Sequence, residues 1–552
     1  MDEEMKKEPH SEVKSEAGVG IGTKIESRHT KRVHNAELYA ATRELKINPW
    51  SKESLTLHYA MFTAFACACA IGYDGSLMTG VIAIEQFQDT FHTGTTGTSV
   101  SIIYSFYTVK GDSGSMIGAP FAAIVSDKFG RLKGMFCGGI VIIIGMIIAA
   151  TASTTPQFVV GRAVIGVGTA FMSVAAPTYC LEIAFPHWRG LCTGMFNMGW
   201  FGGSIPAAAV TFACSQLDSD YSWKIPVIFQ ALGSVIVILS VLFLPESPRY
   251  LMANGREEEA EKFLVKYHGC GRSDSSLVRL EIEEMKEGIR QDGIDKSFCD
   301  YRPFLFTHSG RWRTAQVVMM AVFGNFSGNG LGYYNTVIFA NLGIASVSEQ
   351  LAYNILNSAI GAIATAVALC LVDRIPRRKI LVTGSFGCAV MLAINSGLSA
   401  ALESQGSHIQ KSYARGALAA YFLFTFVFSL TYTPLQSIVP TEALETTQRA
   451  KGWLFTIFSS VDWALSTNLP GRSLWGIWDI SISISLWAGM CLNQACGISL
   501  GEHLHNRVEA QGRTLEQLEM VYKQPNPVKA SLQVDKISVQ DDGNIVEDNG
   551  SV

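Results

Sequence analysis

Two charged residues lie inside long apolar runs of this 552-residue chain. Asp74 follows Tyr73 in the first run, and Arg162 follows Gly161 in the fourth. A charge at the bilayer centre costs roughly 2.5 to 3.5 kcal/mol on insertion scales, so such groups usually pair and face a cavity. A carboxylate that leaves its arginine on protonation can couple proton movement to another event. Asp74 and Arg162 therefore predict a proton relay, and a purely structural ion pair is the alternative.

Acids and arginines also recur at the ends of these runs, in a pattern that occurs twice. They stand four residues apart after the second and eighth runs, and seven apart after the fourth and tenth. Charge-assisted pairs between helix ends can hold one side shut until they break. We predict a cytoplasmic gate formed by Asp127, Arg131, Glu182, Arg189, Glu246, Arg249, Asp373, Arg377, Glu442 and Arg449. Topological anchoring by positive charge is the alternative, although it would not require partnered acids.

The elements that must position these groups are membrane helices. The chain is 48% apolar and 16% charged, whereas soluble domains carry roughly 25% charged residues. Its apolar runs recur at lengths of about 20 residues, enough to cross roughly 30 Å of hydrocarbon. We predict an all-α membrane protein with twelve spans in two sets of six, near 58–83, 99–126, 134–153, 157–181, 190–213, 224–244, 314–340, 351–372, 379–401, 416–440, 453–469 and 478–500.

The hydrophilic segments divide the chain further. Residues 245–313 hold twelve Lys and Arg residues, and Lys and Arg concentrate in alternate loops, which predicts that both termini are cytoplasmic. The predicted parts are a disordered cytoplasmic arm (1–55), an N-terminal six-helix bundle (56–244), a cytoplasmic linker (245–313), a C-terminal six-helix bundle (314–500) and a cytoplasmic tail (501–552).

Several chemistries are disfavoured by composition and motif. The net charge is −4 and the basic residues lie in short segments, which argues against a nucleic-acid partner. We find no nucleophile elbow, P-loop or zinc-like cysteine spacing. The sequence therefore predicts neither an enzyme nor a cofactor or metal site.

Six motifs in order resemble the sugar-porter branch of the major facilitator superfamily over residues 57–520. They are Asp127–Arg131, Gly161–Arg162, Glu182 with Arg189, Pro245–Arg249, the second-half sets at Asp373 and Glu442, and Glu509–Glu516. Two further segments, Phe326–Gly330 and Thr433–Gln436, most resemble the fungal lactose-permease-like members. The resemblance implies two bundles that rock around a midplane site. It also supports proton coupling at Asp74, since proton-coupled sugar porters carry an acid and an arginine at these places.

A sugar site needs amides that donate and accept hydrogen bonds, with aromatic walls for the C–H faces of the ring. The predicted substrate-binding residues are Asn197, Asn325, Asn329, Tyr333, Tyr334, Asn335, Tyr432 and Gln436. The alternative is that buried amides join helices at roughly 0.6 to 2 kcal/mol each. The family has a glutamine at the position of Asn197 and a glutamine pair at the positions of Gly324 and Asn325. It has a tryptophan at the position of Ser437. Shorter amides leave room for a bulkier ligand such as a disaccharide.

These observations predict import of a mono- or disaccharide, lactose-like or a hexose, with protons across a fungal plasma membrane. The partners would be the sugar, protons and the lipid bilayer, and the protein would be a monomer. Two other functions stay open: a non-transporting sugar sensor, and a transporter of a non-sugar polyol or organic acid.

Two regions fit this scheme poorly. Lys110–Gly114 should interrupt the second run and leave flanks that are each too short to span. From Asn468 to Asn506 the family's expected last two helices are not recognisable.

Overall fold

A computed structural model describes residues 29–33, 48–91, 98–292, 302–326, 332, 335–344, 346–372, 374–404, 411–444, 508, 515–531, 535–539 and 545–547. Within them the chain is almost entirely helical. Seven helices of this part are long and apolar enough to cross a membrane. Both observations agree with the predicted all-α membrane fold.

The first bundle is built from helices that follow the predicted runs. Its helices are α1 (Lys52–Val81), α2 (Glu85–Phe91), α3 (Thr98–Phe129), α4 (Arg131–Ala150), α5 (Thr155–Ile183), α6 (Arg189–Cys214), α7 (Tyr221–Phe229) and α8 (Ala231–Val241). A 3₁₀ turn, Pro186–Trp188, joins α5 to α6. The short α2 packs Phe87 and Phe91 against Trp223 of α7.

The linker and the second bundle continue the same pattern. The linker holds α9 (Pro248–Ala253), α10 (Glu257–Tyr267), α11 (Ser276–Asp292) and α12 (Arg302–Phe306). The second bundle holds α13 (His308–Phe326), α14 (Asn335–Asn341), α15 (Val347–Leu371), α16 (Arg377–Ser404), α17 (Lys411–Thr431) and α18 (Leu435–Ala443). The runs expected at 453–469 and 478–500 lie outside the described residues. The boundaries of the five predicted parts stay a prediction.

The expectation that residues 110–114 interrupt the second run is wrong for the backbone. Helix α3 continues without a break from Thr98 to Phe129. Gly114 lies at a close crossing with α5, where a Cβ atom would lie 2.2 Å from the carbonyl oxygen of Ala163. The glycine therefore allows two helices to approach each other, as small residues commonly do between membrane helices.

Discontinuities occur within two other spans of the described part of the chain. Helices α7 and α8 meet at Gln230, four residues after Pro226, which cannot donate a backbone hydrogen bond. Helices α17 and α18 are separated by a turn that contains Pro434. Broken helices of this kind are tolerated in membranes where the freed groups line a cavity.

The tails pack near the linker side of the molecule. Strand β1 (His29–Val33) pairs antiparallel with β2 (Asp535–Val539), which pairs with β3 (Ile545–Glu547). Strand β1 lies within the predicted 1–55 arm, and the disorder of that arm stays a prediction. Helices α19 (Leu515–Lys523) and α20 (Pro527–Ser531) follow the second bundle. Tyr522 of α19 donates to Gln316 Oε1 of α13 at 2.6 Å.

Candidate functional site

A charged cluster lies inside the first bundle, where α1, α5 and the α7–α8 junction meet. Asp74 Oδ1 accepts hydrogen bonds from Arg162 Nη1 and from Gln230 Nε2, the latter at 2.6 Å. Arg162 is 4% exposed and Gln230 is 1% exposed. The structure thus brings together the two residues chosen for the proton relay. Their role in coupling stays a prediction.

Gln230 was missed by the sequence analysis. The available signal was a lone amide in an apolar run, four residues after a proline. The proline also has a partner in α1, because Tyr73 Oη donates to the carbonyl oxygen of Pro226 at 2.9 Å. The kinked span is therefore attached to α1 next to Asp74, and this attachment presents Gln230 to the carboxylate.

A cavity of about 210 Å³ lies between the two bundles. Three predicted substrate-binding residues line it: Asn197 of α6, Asn335 of α14 and Gln436 of α18. The other polar and aromatic lining positions were not predicted from the sequence: Ser76, Thr79, Ser204, Asn354, Asn357, Ser358, Thr425, Thr433 and the rings of Trp200, Phe201, Tyr421, Phe424 and Phe428. Among the described lining residues no side chain carries a charge. This combination of amides and rings suits a neutral, polyhydroxylated ligand.

Some of these polar groups also hold helices together. Asn335 Nδ2 donates to Asn354 Oδ1 at 2.8 Å, and Tyr421 Oη donates to Asn335 Oδ1. Asn197 Nδ2 donates to the Thr433 carbonyl oxygen and so joins α6 to the second bundle. The helix-joining alternative therefore applies in part to Asn197 and Asn335, which nevertheless face the cavity.

The remaining predicted substrate residues do not lie in the described wall. Tyr432 is fully buried in the second-bundle core, where its hydroxyl bonds to Ser385 and its ring stacks on Phe428 at 5.4 Å. Its assignment to substrate binding therefore finds no support, because a core partner takes the hydroxyl. Asn325 lies in α13, but its side chain is not described. Asn329, Tyr333 and Tyr334 lie outside the described residues. Gly332, which is described, lines the cavity.

Bonds between the bundles lie on both sides of the cavity. Towards the end that carries the gate motifs, Ser437 Oγ donates to the Thr193 carbonyl oxygen at 3.0 Å. Towards the opposite end, Thr336 Oγ1 donates to the Thr79 carbonyl oxygen at 3.1 Å. The described parts of the two bundles are therefore hydrogen-bonded to each other at both of these positions.

At the gate end, the first bundle carries a dense ion-pair cluster around Arg131. Its guanidinium donates to Asp127 Oδ1 at 2.9 Å and to the two oxygens of Glu182 at 3.1 and 3.2 Å. Ser247 of the linker also donates to Glu182. Arg131 and Glu182 are buried, so these charge-assisted bonds are little screened by water.

Glu246 closes this cluster from the linker side. Its carboxylate accepts backbone N–H groups of Arg131 at 3.2 Å and Leu132 at 3.4 Å, at the start of α4. Gly130 makes this approach possible, because its φ is +108° and a Cβ atom there would lie 2.3 Å from Glu246 Oε2. Burial nevertheless raises the pKa of Glu246, against the opposing effect of the Ser247 amide and Arg131.

The other predicted gate residues form two further groups. In the second bundle Arg377 Nη2 donates to Glu442 Oε1 at 2.8 Å, while Asp373 and Arg449 lie outside the described residues. In the linker, Glu281 Oε1 of α11 lies 3.7 Å from Arg189 Nη2. Glu281 Oε2 forms a 2.7 Å hydrogen bond with His268 Nδ1.

Glu281 was not anticipated from sequence, although it provides the partner that Arg189 required. Burial opposes its ionisation, but His268, Arg189 and Arg249 outweigh burial and lower the pKa of Glu281. The linker is therefore fastened to the gate end of the first bundle through Glu281, with Arg249 of α9 contributing electrostatically.

The known proteins that this chain resembles are membrane transporters. A family model described as "Sugar (and other) transporter" matches residues 60–469. The high-affinity glucose transporter of Kluyveromyces lactis is 27% identical over 425 residues, 74% of this chain and 75% of that protein. The quinate permease of Neurospora africana is 27% identical over 387 residues, 68% of this chain and 72% of that protein.

Solved structures show the same fold. The structure of the major facilitator superfamily proton:xylose symporter XylE bound to 6-bromo-6-deoxy-D-glucose matches with a TM-score of 0.71 at 21% identity. The match covers 85% of this chain and 100% of that chain. The predicted all-α membrane fold is confirmed at this level, and the predicted twelve spans in two six-helix bundles are consistent with it.

Proposed function

Because this chain belongs to the sugar (and other) transporter family, we propose that it carries a neutral monosaccharide together with protons. The chain is a multi-pass membrane transporter of the major facilitator type and not an enzyme. The distribution of basic residues favours an orientation with both termini in the cytoplasm. We propose import across the plasma membrane as the direction of transport.

The observation that carries the proposal is the uncharged cavity between the bundles. Amides supply both donors and acceptors for hydroxyl groups, and the rings supply apolar walls. Its volume of about 210 Å³ is below the roughly 300 to 1,000 Å³ of pockets for drug-sized ligands. We therefore propose a hexose or pentose as the cargo ahead of lactose or another disaccharide, which the shortened amides alone would have favoured.

Proton coupling would act through α1, which serves both regions. Asp74 belongs to the charged cluster, whereas the next two residues, Gly75 and Ser76, line the cavity. Protonation of Asp74 would weaken its attraction to Arg162 and change how α1 packs beside the substrate. Rocking of the bundles would then expose the cavity on one side at a time.

A carboxylate-bearing polyol is the second candidate, because three relatives are quinate permeases or probable quinate permeases. A carboxylate in a buried site needs a cation or several strong donors. The described wall offers amide and hydroxyl groups but no Lys, Arg or His, which favours the neutral ligand.

The test is uptake by yeast that lacks its own sugar transporters. Labelled D-glucose, D-xylose, D-galactose, lactose and quinate are compared at external pH 5 and 7, with and without a protonophore. We expect concentrative uptake of at least one monosaccharide, faster at pH 5 and collapsed by the protonophore. Uptake of quinate alone would contradict the proposed cargo, and uptake indifferent to the protonophore would contradict coupling.

A further inference from the structure

Asn357 of α15 differs from the other amides of the cavity. It is 7% exposed and lines the cavity, yet its Oδ1 has no hydrogen-bond partner among the described residues. Buried acceptors are nearly always satisfied, because an unmade hydrogen bond away from water is costly. An exception that faces a binding cavity indicates a position kept for a ligand.

The neighbouring polar groups of α15 do not share this property. Asn354, one turn before Asn357 on the same side of the helix, accepts from Asn335 at 2.8 Å. Ser358, the next residue, bonds to Ser204 across the bundle interface at 2.7 Å. Asn354 and Ser358 both hydrogen-bond to other helices. Of these three polar residues of α15, Asn357 is the one whose acceptor has no partner among the described residues.

An aromatic ring limits the space next to Asn357. Gly361 follows it by one turn, and a Cβ atom at Gly361 would lie 2.4 Å from the ring of Phe201. Phe201 of α6 therefore covers α15 on the gate side of Asn357. Phe201 and Asn357 both line the cavity, so one ligand can contact the ring and the amide together.

We propose that Asn357 is a specificity-determining residue whose Oδ1 accepts a hydrogen bond from one hydroxyl group of a neutral polyhydroxylated substrate. The inference rests on the proposed function. It adds to that function one binding residue and the requirement that the ligand donate a hydrogen bond to it. An acceptor selects a donor, so an ionised carboxylate cannot satisfy it. An ammonium group could donate, but the described wall contains no Asp or Glu to balance its charge.

The experiment combines a variant with a change in the ligand. Asn357→Leu removes the acceptor at similar volume, and Asn357→Ser shortens the side chain while it stays polar. Asn395→Leu is the matched control, because Asn395 is a 1% exposed amide in α16 that does not line the cavity and has an unpartnered Nδ2 among the described residues. The KM and maximal rate are measured for D-glucose, or for D-xylose if that sugar is carried better, with surface amounts of each variant determined in parallel.

The ligand change uses the monodeoxy analogues of the same sugar as competitors. We expect Asn357→Leu to raise KM about tenfold, the effect of roughly one hydrogen bond, with Asn395→Leu unchanged. One deoxy analogue should bind the wild-type protein about tenfold more weakly than the parent sugar. In Asn357→Leu and Asn357→Ser that analogue and the parent sugar should bind equally.

Other outcomes overturn the inference in separable ways. If the wild-type protein carries none of the neutral sugars, the proposed function fails and the inference fails with it. If a sugar is carried but Asn357→Leu keeps the wild-type KM, only the inference fails. If both Asn357 variants are absent from the surface, the competition by deoxy analogues in the wild-type protein is the test. Equal binding of every deoxy analogue would show that no single hydroxyl group is recognised, and the inference would fail.

Discussion

Two buried polar regions of the membrane-spanning part are built from opposite chemistry. The charged cluster of Asp74, Arg162 and Gln230 lies within one bundle, and its carboxylate is held by partners from two other helices. The cavity lies between two bundles, has no charged side chain in its described wall, and keeps an open acceptor at Asn357.

The difference follows from how each region must behave when the bundles move. A group inside one bundle keeps its neighbours during rigid-body rocking, so a buried charge can stay paired throughout. Cavity groups lose their partners across the interface when the bundles separate. Neutral amides tolerate such exposure at lower cost than charges do, because their desolvation penalty is smaller.

The largest expected effect comes from removing the charge of the first region. Asp74→Asn should abolish accumulation of labelled sugar against a gradient while equilibrative exchange persists, because the side chain can no longer gain or lose a proton. The measurement is the inside-to-outside ratio at steady state, with a protonophore as reference. Asp220→Asn is the matched control, since Asp220 forms a largely exposed pair with Lys224. Undiminished accumulation in Asp74→Asn would remove the distinction between the two regions.

A second change places a charge in the neutral region. Asn335→Asp puts a carboxylate oxygen where Nδ2 now donates to Asn354, and two acceptors then face each other. We expect KM for the carried sugar to rise at least tenfold, about 1.4 kcal/mol, and thermal stability in detergent to fall. Asn395→Asp, buried elsewhere, should lower stability without that change in KM. If Asn335→Asp transports normally, the neutrality of the cavity has no functional meaning.

A smaller effect is expected from Gln230, which tunes the charged region without carrying charge. Its Nε2 donates to Asp74 Oδ1 at 2.6 Å, so Gln230→Leu removes a hydrogen bond to this carboxyl group. The steady-state accumulation ratio of labelled sugar should therefore fall, by less than in Asp74→Asn. Gln230→Glu replaces the donor with an acceptor and should lower the ratio further.

Gln350→Leu serves as the control for the Gln230 series. Gln350 is a buried amide of α15 that donates to the Ile344 carbonyl oxygen, away from Asp74. An unchanged accumulation ratio in both Gln230 variants would show that this residue only supports packing.

The smallest effect on transport is expected outside both regions, at Glu281. The pKa of Glu281 is lowered in the folded protein despite burial, because His268, Arg189 and Arg249 favour its ionised form. Its contribution is complete above the unfolded value of about 4.3 and is lost as pH falls through the lower folded value. Glu281→Gln should therefore lower the free energy of unfolding by about 1 to 3 kcal/mol at pH 7. The plots of unfolding free energy against pH for the wild-type protein and the variant should converge at acid pH.

The measurement for Glu281 is detergent unfolding from pH 3 to 8, with KM and accumulation determined beside it. Glu259→Gln provides the control, because Glu259 pairs with Arg256 at the surface. A stability difference that does not narrow in acid would contradict the assignment of ionised Glu281 as the fastening group.

Much of the fold could be predicted from the sequence because bilayer thickness imposes run length on every span. The pairing of Asp74 with Arg162 was also predictable, since charges at membrane depth need opposite charges. Asn354 and Asn357 could not be assigned in this way. Helices in this protein are apolar on nearly all sides, so hydrophobic periodicity does not tell a cavity face from a core face or a lipid face.

The sequence by itself determined which groups must be paired, how many spans carry them and where the two halves repeat. Only the tertiary structure decided which partner each group takes. Gln230 reaches Asp74 across 156 residues, Arg189 finds Glu281 in the linker, and Tyr432 is taken into the core by Ser385. Hydrogen bonds act over about 3 Å, and distances on that scale depend on how helices cross, which no single segment of the chain specifies.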